Sequence, residues 1–400
     1  MTGTSSVVLY RPEAFERATD EQWDEERVGR RIRDIVADTD DALRGPKLLW
    51  RADSWDGWHA TSPMKNLYVG AAGVLWALDE LRRRGYAETR LDLADLALRN
   101  LELFRARPDF MKGINLPSPR ESSLLEGETG ILLVAYRLVP STSLADDLHA
   151  RVRANVDNEA DEIMWGAPGT MIAARLMLRW TGDDRWAEAW RESAEALRGR
   201  RDEQGLWTQR LHGHEIRFLT PPHGLVGNVL ALLQGGRDAA LERDTAAVLA
   251  RLAVVEDGLA NWPLREGGAL VAADGEIKVQ WCAGAPGIVV AGAEYLDEEL
   301  LLAGAELVWR AGPPRMEKGP SICHGTAGNG YAFLKVFGRT GDELWLERAR
   351  RFAVHALNQV KRRGHGRYSL WTGDLGTAIY AADCLDARPT YPLLDTTAST

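Results

Sequence analysis

Three residues of this chain have the types and spacing to hold a metal ion. Cys282 stands in Trp281-Cys282-Ala283-Gly284-Ala285-Pro286-Gly287, and Cys323 opens Cys323-His324-Gly325-Thr326-Ala327-Gly328. Each cysteine lies two places before the first glycine of a Gly-x-x-Gly, and His324 follows the second. The stretch between them is about what one helix-turn-helix unit fills, the length at which repeats show themselves. Two thiols and an imidazole at matched positions point to zinc, which takes Cys and His ligands tetrahedrally; three protein ligands leave a fourth corner open. The plain alternative is two ordinary buried cysteines, and the matched positions favour the metal. Cys384, inside an apolar run, reads as core. His223, one place before Gly224, shares the repeat position of His324; it is either a fourth ligand or, more usefully, an acid/base beside the metal.

The pattern that would position these groups is written seven times, with glycine pairs starting at Gly70, Gly127, Gly166, Gly224, Gly284, Gly325 and Gly373. Each leads into an apolar run such as Val74-Leu75-Trp76-Ala77-Leu78. More polar segments with one apolar stripe lie between copies, for example Leu91 to Phe104 and Glu343 to Val360. Each repeat thus pairs a helix that must be buried with one that can face water. Seven such pairs predict an all-α fold, an α/α toroid with seven inner and seven outer helices. An open solenoid would need polar caps at both ends, and the sequence offers none. The loops then gather at one end of the ring, where helix N-termini are expected to present unpaired N–H groups that favour thiolates. The inserts Gly205 to Thr220 and Leu259 to Val279 carry turn signals at Gly267-Gly268 and Asp274-Gly275, predicting short hairpins. The expected organisation is an arm over 1–20, one toroidal domain over 21–390, and a tail over 391–400.

The composition narrows the function classes. A net charge of −9 argues against nucleic acid as the main partner. Three cysteines do not make a disulfide framework and fit a reducing cytoplasm. No signal peptide opens the chain and no run approaches a membrane span.

The run Trp-Cys-x-Gly-x-Pro-Gly, then Cys-His-Gly-x-Ala-Gly-Asn-x-Tyr-Ala-Phe, with the earlier His223-Gly-x-x-Gly, resembles the lanthionine synthetase C-like family. That family includes the cyclase of nisin biosynthesis and the eukaryotic LanC-like proteins. The resemblance implies an α/α toroid with zinc held by Cys282, Cys323 and His324. Its cyclases add cysteine thiolates to dehydroalanine or dehydrobutyrine, and its eukaryotic branch is associated with glutathione. By the same resemblance His223 handles the proton of the addition. Lys278 stands where the cyclase has an arginine, Ala283 where it has a tyrosine, and Ser123 where it has an acidic residue. Lys318 matches a lysine of the eukaryotic proteins, and Arg367 is a second cation ahead of the last loop. Thr372 replaces a glutamate of those relatives. A cation at the mouth binds a carboxylate or stabilises an enolate, or is simply a solvated side chain.

Two readings follow. One is a zinc-dependent enzyme adding a thiol to dehydroamino acids of a peptide or protein, the thiol being the substrate's own or a small one such as glutathione. No dehydratase-like region precedes the repeats, so a separate dehydratase would supply the substrate. The other is a zinc-bearing module that captures a thiol or peptide without turnover. A glycosidase using Glu126, Glu128 and Asp374 is a weaker third, because it has no use for thiolate-bound zinc.

Overall fold

The computed structural model describes residues 7–43, 49–56, 63–109 and 119–395. Among them are fourteen α-helices and two small hairpins. Seven helices are almost wholly buried: α2 (Ala71–Arg83), α4 (Glu128–Leu138), α6 (Ala167–Thr181), α8 (Leu225–Leu233), α10 (Ala285–Gly292), α12 (Thr326–Thr340) and α14 (Asp374–Leu385). All eight residues of α10 are buried, as its uninterrupted apolar sequence requires. Each packs on the next, and α14 returns to α2, so the ring closes. The other seven are amphipathic and form the outer layer: α1 (Glu25–Ala42), α3 (Leu93–Ala106), α5 (Thr142–Ala154), α7 (Arg185–Gly199), α9 (Ala239–Leu252), α11 (Glu298–Ala311) and α13 (Glu343–Arg363). The fold is the expected α/α toroid, with α1 supplying the outer helix beside α14.

The glycine pairs have a steric cause. An alanine methyl at Gly287 would lie 1.9 Å from the Trp281 carbonyl oxygen, and one at Gly328 would lie 2.0 Å from that of Ile322. The loop folds back over the first turn of the helix so closely that only hydrogen fits. This fold-back also corrects the expectation of free N–H groups. Thr326 N donates to Gly319 O, Ala327 N to Pro320 O and Leu225 N to Phe218 O. At α2, α8, α12 and α14 the first amides are taken by carbonyls of the preceding loop, and at α10 Ala285 N donates to Asn261 Oδ1, so these amides are not free for a thiolate.

The first insert forms the hairpin β1 (Gln209–Leu211) and β2 (His214–Ile216), turning at His212-Gly213 with φ of 52° and 81°. The second hairpin lies earlier than the turn signals suggested, β3 (Val254–Glu256) against β4 (Leu259–Asn261), turning at Asp257-Gly258. Around Asp274-Gly275 there is only a bridge between Val271 and Ile277. Residues 1–6 of the arm and 396–400 of the tail lie outside the described residues. The rest of the arm is tied down, with Asn261 Nδ2 donating to Leu9 O and Glu16 N to Pro313 O. Tyr391 enters the centre of the ring, 1% exposed. It stacks on Trp281 at 4.9 Å and donates its hydroxyl to Ile322 O. With Trp371 these rings fill the space directly beneath the cysteine loops.

Candidate metal centre

A belt of backbone hydrogen bonds sets where the loops stand. The residue two places before each first glycine repeatedly bonds to its counterpart on the neighbouring loop. Cys282 N donates to Cys323 O at 3.3 Å, Cys323 N to Trp371 O at 2.9 Å, Trp371 N to Tyr68 O at 3.3 Å and Tyr68 N to Leu125 O at 3.0 Å. Met164 N makes the same bond to Pro222 O at 3.3 Å. The cysteines are therefore next-door members of one hoop, which is why equal repeat position became spatial proximity.

The Cys282 and Cys323 sulfurs and a ring nitrogen of His324 lie within 4.8 Å of one another, the only such group of ligand atoms among the described residues. Cys323 Sγ is 3.8 Å from His324 Nε2. Ligand atoms around a tetrahedral zinc stand about 3.5–4 Å apart, so the set fits zinc with little movement. Nδ1 of His324 is buried without a hydrogen-bond partner. Cys323 is buried and Cys282 half-buried. The Cys282 thiol is pulled well below its usual range, chiefly by the hydrogen bond from Cys323, with His324 adding to it. Burial pushes Cys323 up. Tyr68 donates its hydroxyl to Cys323 Sγ at 3.1 Å, and Gln280 Nε2 donates to Cys282 Sγ at 2.9 Å. Cys384 is buried core, as its apolar surroundings predict.

A cavity of about 500 Å³ opens beside the cluster and is lined by His324, Gln280, Lys278, Lys318 and Arg11, among others. Lys278 Nζ is held by Asp274 at 2.5 Å and Glu276 at 2.6 Å, and Lys318 Nζ is 3.6 Å from Glu276. The two lysines thus share a cavity with His324, each with an acidic neighbour. Arg367 approaches indirectly. Its guanidinium binds Asp56 at 2.8 and 3.1 Å and covers the Trp55 ring at 4.4 Å, while Trp55 meets the His324 ring edge-on at 5.1 Å. His223 stands on the loop before α8, which packs against α10 and so neighbours the Cys282 loop. Its Nδ1 is 2.9 Å from Glu162 Oε2, and Glu162 is fully buried and also accepts Met164 N–H at 3.0 Å.

Three of the departures noted in the sequence, Ser123 and Ala283 from the cyclase pattern and Thr372 from that of the eukaryotic proteins, have structural duties. Ser123 Oγ donates to Met164 O, Ala283 shares two backbone hydrogen bonds with Gln280, and Thr372 pairs with Ser369 Oγ. The carboxylates of the glycosidase reading are engaged elsewhere. Glu128 is bound by Arg105 and Arg151, Asp374 by Arg363, and Glu126 accepts from Asn66 Nδ2 in a buried site that raises its pKa to about 8. Tyr68, Gln280, Trp55 and Glu162 were not singled out from the sequence. Only Tyr68 carried a usable signal, since it occupies the cysteines' own repeat position.

The family described as "Lanthionine synthetase C-like protein" matches residues 17–393. The protein named Glutathione S-transferase LANCL1 from Danio rerio is 29% identical over 216 residues, 51% of this chain and 52% of that protein. LanC-like protein GCL1 from Arabidopsis thaliana is 28% identical over 183 residues, 42% of this chain and 40% of that one. The matched part spans about half the length of these relatives or less. Among solved structures, nisin cyclase superposes with a TM-score of 0.62 at 15% identity, covering 92% of this chain and 98% of that chain; at that identity the likeness concerns the fold. Among the described residues no helix is long and apolar enough to cross a membrane. With the seven glycine loops, the closed double ring and the match over nearly its whole length, this chain belongs to the lanthionine synthetase C-like family.

Proposed function

We propose that the protein is a zinc-dependent catalyst of thiol addition to dehydroamino acids, acting in the cytoplasm on a dehydrated peptide or protein. The observation that supports it most is the convergence of Cys282, Cys323 and His324 beside an open cavity. Held by these three groups, zinc would lower the pKa of a thiol entering the fourth corner and so supply thiolate at neutral pH. In the addition the S–Cβ bond forms, the Cα=Cβ π pair moves onto Cα and its carbonyl, and the thiol proton ends on Cα; nothing leaves.

The chain's own residues handle the rest. Glu162, by accepting a hydrogen bond from Nδ1, orients the His223 ring and leaves Nε2 to take and return the proton. Lys278 and Lys318 offer positive charge to a substrate carboxylate or to the enolate oxygen, with Asp274 and Glu276 as the groups the substrate displaces. Arg367 acts through Trp55, fixing the aromatic wall against His324. The thiol is either the substrate's own cysteine or a small thiol; the printed name of the Danio rerio relative favours testing glutathione.

Purified protein should contain about one zinc per chain, lost in Cys282→Ala and Cys323→Ala. With a dehydroalanine peptide and glutathione, mass spectrometry should show the thioether, abolished by Cys323→Ala. His223→Ala should keep the zinc and lose roughly 10²–10⁴-fold in rate. The paired state of Lys278 keeps a second reading in play, a module that binds thiols without turnover. Zinc-loaded protein that binds glutathione and forms no adduct would select it.

A further inference from the structure

Catalysis of this kind meets a difficulty of its own making: an incoming sulfur must react while two resident sulfurs at the same ion do not. Alkylation of either resident would remove a ligand and dismantle the site. Cys282 is the more exposed of the two, being half-buried where Cys323 is 2% exposed. Gln280, two residues from it, lines the cavity an electrophile would enter.

We propose that Tyr68 and Gln280 are selectivity residues, each giving one hydrogen bond to a resident sulfur and so damping its nucleophilicity, Tyr68 at Cys323 and Gln280 at Cys282. The inference rests on the metal reading of the site. Hydrogen bonds to an anionic acceptor draw charge from it, and such charge-assisted bonds are about twice as strong as neutral ones. Hydrogen bonding to sulfur is a known lever on metal–thiolate chemistry. Both donors are uncharged. Both are also held rigidly. Gln280 exchanges two backbone hydrogen bonds with Ala283, each 3.0 Å. Tyr68 is fixed in the loop belt through Leu125 and Trp371, with its ring 6.0 Å from that of Trp371. Apart from the three ligand residues themselves, each sulfur has one side-chain donor among the described residues, on separate loops, so the shields can be removed one at a time.

The test is site-resolved alkylation of zinc-loaded protein. Iodoacetamide forms an S–C bond to a cysteine with loss of iodide; peptide mapping assigns the site, and a chromophoric chelator follows zinc release. Tyr68→Phe should react about tenfold faster at Cys323 and Gln280→Met about tenfold faster at Cys282, each with parallel zinc release. This one-to-one pairing is what a mere loosening of the fold would not produce, and Gln280→Met stands alone should Tyr68→Phe misfold. Unchanged rates, or equal sensitisation of both cysteines in either variant, would overturn the proposal. Zinc is quantified before each reaction. A parent protein without zinc would remove the metal reading and the shielding with it, whereas loaded protein with unchanged rates would remove the shielding alone.

Discussion

The two rings begin their helices in opposite ways. Six of the seven outer helices start at a residue whose side chain caps the first turn: Asp24, Asp92, Ser141, Asp238, Asp297 and Asp342. All seven inner helices start at a glycine with no side-chain cap. An outer helix carries its own start signal and could be written almost anywhere. An inner helix such as α2, α8, α12 or α14 borrows its start from the preceding loop, whose carbonyls accept its first N–H groups, and the glycines permit that close contact. Inner starts are thus fixed by packing, and the only freedom left is in the residues one and two places before the first glycine. Five of the groups singled out on the loops occupy those two places: Glu126, His223, Cys282, Cys323 and His324.

Breaking an inner start should hurt most. Gly328→Ala drives a methyl into the Ile322 carbonyl and leaves a rigid loop nowhere to go; thermal or denaturant unfolding should show a loss of at least about 3 kcal/mol, with zinc content falling too. A smaller effect, of definite sign, is expected from Glu126. Its carboxyl is raised to about 8 by burial, with Asp109 and Asp56 adding repulsion. Between about pH 4.5 and 8 the unfolded chain gives up this proton while the folded one keeps it, so stability falls as pH rises across that window. Glu126→Gln should flatten the slope, measured as unfolding midpoint against pH. An unchanged slope would show that the group is not buried in this way. The smallest effect belongs to the outer ring, where Asp342→Ala removes the cap bonded to Leu344 N and should cost about 1 kcal/mol with zinc content untouched. If it altered zinc, the proposed independence of outer starts from the site would be wrong.

The same contrast decides what was legible beforehand. Glycine pairs and apolar runs are local text, so the seven copies, the double ring and its closure could be read directly. The cysteine pair and His324 were legible because repeat equivalence converts sequence position into spatial position. Tyr68 stands at that same position, but a tyrosine in an apolar stretch looks like packing until its hydroxyl is located. Trp55, Gln280 and Glu162 had no repeat position to betray them; they arrive from inserts or from deeper in a loop. The ion pairs around Lys278 depend on how the Asp274-Gly275 segment turns, which a turn signal alone does not fix. At those starts the expectation of free amides failed because local helix rules omit the carbonyls of a loop seven residues back, which accept the first N–H groups.

Tyr391, wedged under the cysteine loops, has a consequence for the order in which the molecule is made. A nascent chain that has already extruded both sulfurs still lacks Trp371, whose carbonyl anchors Cys323, and Tyr391, on which Trp281 rests. Until the ribosome has passed these residues the donors have neither neighbour nor floor. On the metal reading proposed above, ion capture would therefore belong to the finished ring and not to the growing one.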